Sequence, residues 1–204
     1  WLARNMNIVT AAARTGLNTV SFFHRILGTQ VMQSIAGSMR KLSGKRIPMW
    51  NPYMPGGAKK INVPATQHEP GKRKVVYFPS CINRSMGTSA DHHGEIQLTE
   101  KMKSLLEKGG YEIIYPDNLD NLCCGMAFLS KGYRKAGEMK SAELESALMQ
   151  ASNNGEYPVL CDMSPCLFTM KDNFRTDLKL YEPVEFITKF LLHRLELTPL
   201  QETV

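Results

Sequence analysis

The sequence contains no uncharged apolar run near the roughly 20 residues a bilayer-spanning helix needs, so this chain is not expected to cross a membrane. Its first thirty residues lack the short apolar core and small-residue cleavage site of a secretory signal. The chain begins on Trp1 rather than Met, and a piece of a longer polypeptide is the expectation. Acidic residues are almost missing from the front: residues 1–74 hold twelve Lys and Arg against a single acid, Glu69. Cysteine is missing there as well. All five thiols, at 81, 123, 124, 161 and 166, come later, and an odd number argues against a simple disulfide framework. No glycine-rich dinucleotide fingerprint and no ferredoxin-type cysteine run occurs, so neither a flavin nor a dicluster site is expected inside these residues.

What is present is an ordinary globular composition. With 204 residues, 43% of them hydrophobic and 22% charged, the chain can bury a core without disulfide staples, and dominant disorder is excluded. The net charge of +6 divides sharply, into +11 over residues 1–74 and −5 over residues 75–204. Such asymmetry points to a nucleic-acid or membrane surface, or to a docking face for an acidic partner. Nucleic acid is set aside because the basic segment shows no recognised module and no expected interleaving of exposed aromatics.

Three regions follow from the pattern: a basic helical segment over 1–43, a Pro/Gly-rich linker or arm over 44–72, and a cysteine-rich α/β domain over 73–204. In the first, Leu2, Met6, Val9, Ala13, Leu17 and Val20 recur at helical spacing. A second stretch from Phe22 to Leu42 continues with Ile26, Val31, Ile35 and Met39 around the breakers Gly28 and Gly37. In the arm, Pro48, Pro52, Pro55, Pro64 and Pro70 with Gly56 and Gly57 oppose regular structure. Trp50, Tyr53 and Met54 are too apolar for a free linker, so the arm is expected to lie pinned on a surface or to cap the nearest helix.

The body alternates strands near 74–78, 111–115, 157–161 and 178–181 with helices near 95–108, 133–153, from Pro165, and 183–195. Strands alternating with helices of this length predict an α/β fold, a doubly wound parallel sheet with flanking helices. Each cysteine then falls at the carboxyl end of a strand: Cys81 after the first, Cys123-Cys124-Gly125 after the second, Cys161 and Cys166 around the end of the third. Ligands of open α/β sheets bind along that edge, so the five sulfurs are expected to gather there. Thiolates suit iron–sulfur clusters, zinc or copper(I), and a metal-free thiol/disulfide redox pair or a zinc-stabilised interaction domain fits the same residues. Cys161 alone also reads as a buried core residue. His92-His93, in a Gly-flanked loop, reads as solvent-facing or proton-handling rather than metal-ligating.

Phe78-Pro79-Ser80-Cys81, Asn121-Leu122-Cys123-Cys124-Gly125-Met126-Ala127-Phe128 and Asp162-Met163-Ser164-Pro165-Cys166 resemble the cysteine-rich domain named for its CCG motif. That domain occurs in the cysteine-rich component of heterodisulfide reductase, the iron–sulfur subunit of glycolate oxidase, and lactate-oxidising enzymes. The similarity is greatest to the C-terminal part of the FAD-linked, iron–sulfur D-lactate dehydrogenase type, over about residues 73–195. The resemblance implies an electron-transfer module with a 4Fe-4S type cluster on Cys81, Cys123, Cys124 and Cys166, and with Cys161 as a weaker ligand candidate. It also implies FAD and ferredoxin-like domains upstream, on the same polypeptide or complex, and a quinone-type acceptor. The fullest motif ends in C-x-x-C, whereas Met163 stands three residues before Cys166 here. Without a signal segment the cytoplasm is the expected location, with the basic front end as a foothold on the inner face of the cell membrane.

Overall fold

The computed structural model describes residues 1–63, 71–89 and 95–196. In chain order these form α1 (Met6–Leu42), β1 (Pro55–Gly57), β2 (Arg73–Phe78), α2 (Cys81–Ser85), β3 (Met86–Ser89), α3 (Leu98–Lys108), β4 (Tyr111–Ile114), α4 (Met126–Leu129), α5 (Arg134–Ala151), β5 (Val159–Cys161), α6 (Ser164–Asn173), β6 (Leu180–Tyr181) and α7 (Pro183–Phe186). They divide into two compact units, Trp1–Asn62 with Cys81–Lys101, and Val63–Ser80 with Met102–Val204.

The second unit is built on β2. Its Val75-Val76-Tyr77-Phe78 run combines β-branched and aromatic residues, which fit a pleated surface, and all four are buried because both sheet faces are covered. β2 pairs in parallel with β4 on one side and with β5 on the other, and β6 extends the sheet beyond β5, in the order β4-β2-β5-β6. Helices flank this four-stranded parallel sheet, as the α/β reading predicts. The chain leaves β2 towards β4 and then returns across it to β5. The connections on either side of the β2/β5 pair therefore run in opposite directions, which opens a crevice at their carboxyl ends.

α5 supplies one wall of the core. Gly137, Lys140, Ser141, Leu144 and Leu148 recur at helical spacing and are its buried residues. The last helix differs from the expected run over 183–195: after α7 the chain takes a wider π turn over Ile187–Leu191 and then a tight turn over Leu192–Arg194. Phe186 anchors this region, with ring centroids 5.5 Å from Tyr111 and 5.0 Å from Phe190.

The first unit is dominated by α1. The predicted two helical stretches are one long element interrupted at Gly28, whose φ of 75° is left-handed and breaks the helical run. The His24 ring and the Thr29 hydroxyl, 2.8 Å apart, hydrogen-bond across that break. The arm carries more regular structure than its prolines suggest. β1 pairs antiparallel with β3, and the Gly57 N–H donates to Asn18 Oδ1 of α1 at 2.9 Å. Trp50 packs edge-on against His24 with centroids 5.4 Å apart and so lies against α1, whereas Tyr53 is exposed. Phe22 and Phe23 are exposed on α1, against the expectation that this segment shows no exposed aromatics.

Candidate thiol site

The loop between β4 and α4 carries Cys123 and Cys124, and a sharp backbone turn and two hydrogen bonds hold its shape. Gly125 takes a φ of 91°, a left-handed conformation that L side chains rarely adopt, and so turns the chain sharply into α4. The Gly125 N–H donates to the Cys123 sulfur at 3.4 Å. From α5, the fully buried Lys140 reaches back and donates through Nζ to the Asn121 carbonyl at 2.8 Å, while Glu143 Oε2, 2.5 Å away, balances its charge. Through the Lys140 bond to Asn121, α5 fixes the loop two residues before the first thiol.

Cys166 comes from the helix that follows β5. Pro165 sits in the first turn of α6, where its missing N–H costs nothing and its fixed φ suits the helix start. The Ser164 hydroxyl, bonded to Glu182 Oε2 at 2.9 Å, ties this turn to the residue before α7. Cys166 is buried and lies in hydrogen-bonding contact with Cys124, which also contacts Cys123. Three thiols, two from the loop and one from the first turn of α6, thus meet in one buried cluster.

Their mutual contacts set the acidity of the central one. The bond from Cys123 lowers the Cys124 pKa, but the bond and charge of Cys166, together with burial, outweigh it and push the thiol up to about 12. Cys124 is therefore a protonated thiol at neutral pH in this arrangement.

Beside the cluster, Asp162 joins the ends of β5 and β2. Its Oδ2 accepts from the Tyr77 hydroxyl at 2.9 Å and its Oδ1 from the Ser80 N–H at 2.7 Å. Burial and the neighbouring Asp162 carboxylate raise the Tyr77 pKa well above the usual phenol range. Asp162, Tyr77, Lys140 and Gly137 have no role assigned from sequence. Asp162 carried a signal, its place in the Asp162–Cys166 motif; a buried Lys on a helix of ordinary periodicity carried none.

Of the five sequence-predicted thiols, Cys123, Cys124 and Cys166 come together. Cys161, fully buried at the end of β5, points its thiol at the Met163 carbonyl, 3.7 Å away. Cys81 follows Ser80 directly but is half-buried at the start of α2 and belongs to the other compact unit. None of the five is joined in a disulfide. His92 and His93 lie outside the described residues. Cavities of about 380 and 490 Å³ in the second unit are lined by Lys74, Tyr157 and their neighbours and contain no cysteine.

Three clustered thiols are a soft donor set, suited in kind to an iron–sulfur cluster or a soft metal ion. Among the described residues, no group of three or more His, Cys, Asp and Glu is spaced to hold a metal ion. The cluster is packed as hydrogen-bonded thiols.

Fold and site together define an α/β domain that gathers cysteines at the switch point of a parallel sheet. Residues 75–171, just under half of the chain, match the CCG cysteine-rich domain family, and the chain contains a domain of that family. No curated protein and no solved structure matches the chain significantly.

Proposed function

We infer that this cysteine-rich domain is the iron–sulfur electron-transfer module of a larger FAD-dependent 2-hydroxy-acid oxidoreductase of the D-lactate or glycolate type, relaying electrons from flavin towards a quinone-type acceptor. The observation that supports this reading is the contact of Cys124 with both Cys123 and Cys166 at the carboxyl edge of the sheet. Cys123, Cys124 and Cys166, with Cys81, are the residues that would hold a 4Fe-4S type cluster, and a bound cluster supplies one-electron steps between a two-electron flavin and its acceptor. The chain's own contribution is positional. Lys140 and Gly125 fix the Cys123-Cys124 loop, the Asp162 bonds fix the strand ends, and burial shields Cys123, Cys124 and Cys166 from water. The FAD and ferredoxin-like partners belong to residues outside this sequence.

Anaerobic reconstitution with iron and sulfide tests the reading. The expected result is retained iron and sulfide with broad visible absorption, lost in Cys124→Ser and Cys166→Ser. A chain that retains no iron, or whose Ser variants load as the parent does, overturns it.

A second reading is favoured by the same contact, which joins the Cys124 and Cys166 thiols directly. Cys124 and Cys166 then form a disulfide, losing two protons and two electrons to an external oxidant. Mass spectrometry showing one defined bond between them, reversible with a dithiol and formed in metal-free protein, distinguishes this case.

A further inference from the structure

The described part of the first unit up to Asn62 contains nine Lys and Arg and no acid. Beyond the Gly28 break, α1 carries Val31, Ile35, Met39 and Leu42 at spacings of four, four and three, which places them on one helical face. These four side chains are between 43% and 89% exposed. Isolated exposed apolar residues are ordinary, but a stripe of four running to a helix end is not. Gln30 and Gln33 lie across the helix from this stripe, and Ser34 and Lys41 flank it. Lys41 and the two cations just past the helix, Lys45 and Arg46, are exposed.

We propose that this half of α1 docks on an anionic lipid surface, with Val31, Ile35, Met39 and Leu42 entering the acyl boundary and Lys41, Lys45 and Arg46 meeting the headgroups. An apolar stripe beside a cationic, acid-free rim is the pattern of a helix lying in a bilayer interface. The charge selects among occupants. A second copy of the chain would bring the same cations face to face, and a nucleic acid would leave the aliphatic stripe without a function. A fluid anionic surface satisfies both features and needs no shape complementary to a convex helix. The helix is not a span, because no described helix is long and apolar enough to cross a membrane. This inference is independent of what the cysteines bind.

Co-sedimentation of the full chain with vesicles provides the test, using phosphatidylcholine alone and phosphatidylcholine mixed with phosphatidylglycerol. Binding at least about tenfold tighter to the anionic vesicles, weakening with added salt, is expected. Ile35→Ser with Met39→Ser, and separately Lys41→Glu with Lys45→Glu, should each weaken it about tenfold or more with unchanged far-ultraviolet circular dichroism. Equal binding to both vesicles, no binding, or unaltered binding by either variant overturns the proposal. Retention on polyglutamate-coated beads without vesicle binding also overturns it and assigns the face to an acidic protein.

Discussion

A Cβ placed on Gly125 would stand 2.4 Å from the Gly137 carbonyl oxygen, so the turn after the paired cysteines is wedged directly against the backbone of α5. Gly137 in turn leaves room for Leu129, whose Cγ would lie 2.5 Å from a Cβ there. The two glycines are unequal. Gly125 meets backbone and holds a left-handed φ, whereas Gly137 meets a side chain that can rotate. Gly125→Ala should cost at least about 2 kcal/mol, from left-handed strain and a displaced helix. Gly137→Ala recovers about 1 kcal/mol of helix propensity and should cost less. Urea midpoints at constant slope measure both, and equal losses would contradict the asymmetry.

Asp162 is the single acceptor that connects the ends of β2 and β5 in these two bonds, so its removal acts on both strands. Asp162→Ala should destabilise by about 3 kcal/mol, and Tyr77→Phe by about 1 kcal/mol, because only the first also takes the acceptor from Ser80. A double-mutant cycle between the two positions should show coupling of at least about 0.5 kcal/mol. Additive losses would mean that the Tyr77–Asp162 bond contributes nothing of its own.

How much of this was legible depends on how local each signal was. β2, β4 and β5 are short apolar runs bounded by Gly, Pro or charge, and they emerge within a residue or two of their expected limits. β1 and β3 were not legible: they are held by each other, and β1 also by Asn18, partners about 30 or more residues away that no local propensity encodes. The Cys123-Cys124-Gly125 loop was readable because its glycine announces the turn. Gly137 and Lys140 were not, since a mid-helix Gly and a Lys look like surface positions until α4 and Asn121 are set against them. Gathering of Cys123, Cys124 and Cys166 followed from the topology of a parallel sheet, which brings strand ends together whatever the intervening sequence.

The raised pKa of Cys124 makes the metal-free chain sensitive to alkali. The thiol ordinarily ionises near pH 9 and is pushed up to about 12 here, so the folded state holds its proton more tightly than the unfolded state does. Its contribution is complete below pH 9 and declines by about 1.4 kcal/mol per pH unit as pH rises between the two values. Tyr77, also raised, adds to the loss above pH 10. Cys124→Ser removes only the thiol's part. Its stability curve should be flatter than the parent's between pH 9 and 11 by urea titration, and parallel curves would refute the assignment.

Lys140 offers the clearest separation of loop support from general stability. Its ammonium is fully buried on the core face of α5, yet its partners are a loop carbonyl and the half-exposed Glu143. Lys140→Met keeps the length and the apolar stem and deletes both bonds. The Glu143 carboxylate can turn to water, so the global loss should be modest, about 1–2 kcal/mol. Locally, the Asn121 carbonyl loses its donor and the Cys123-Cys124 loop opens more often. Alkylation of these two thiols by iodoacetamide, followed residue by residue by mass spectrometry, should therefore accelerate at least about fivefold under native conditions. Cys161, held at the end of β5 away from that loop, should react at the parent's rate. If all the buried thiols accelerate together, Lys140 supports the whole unit rather than the loop.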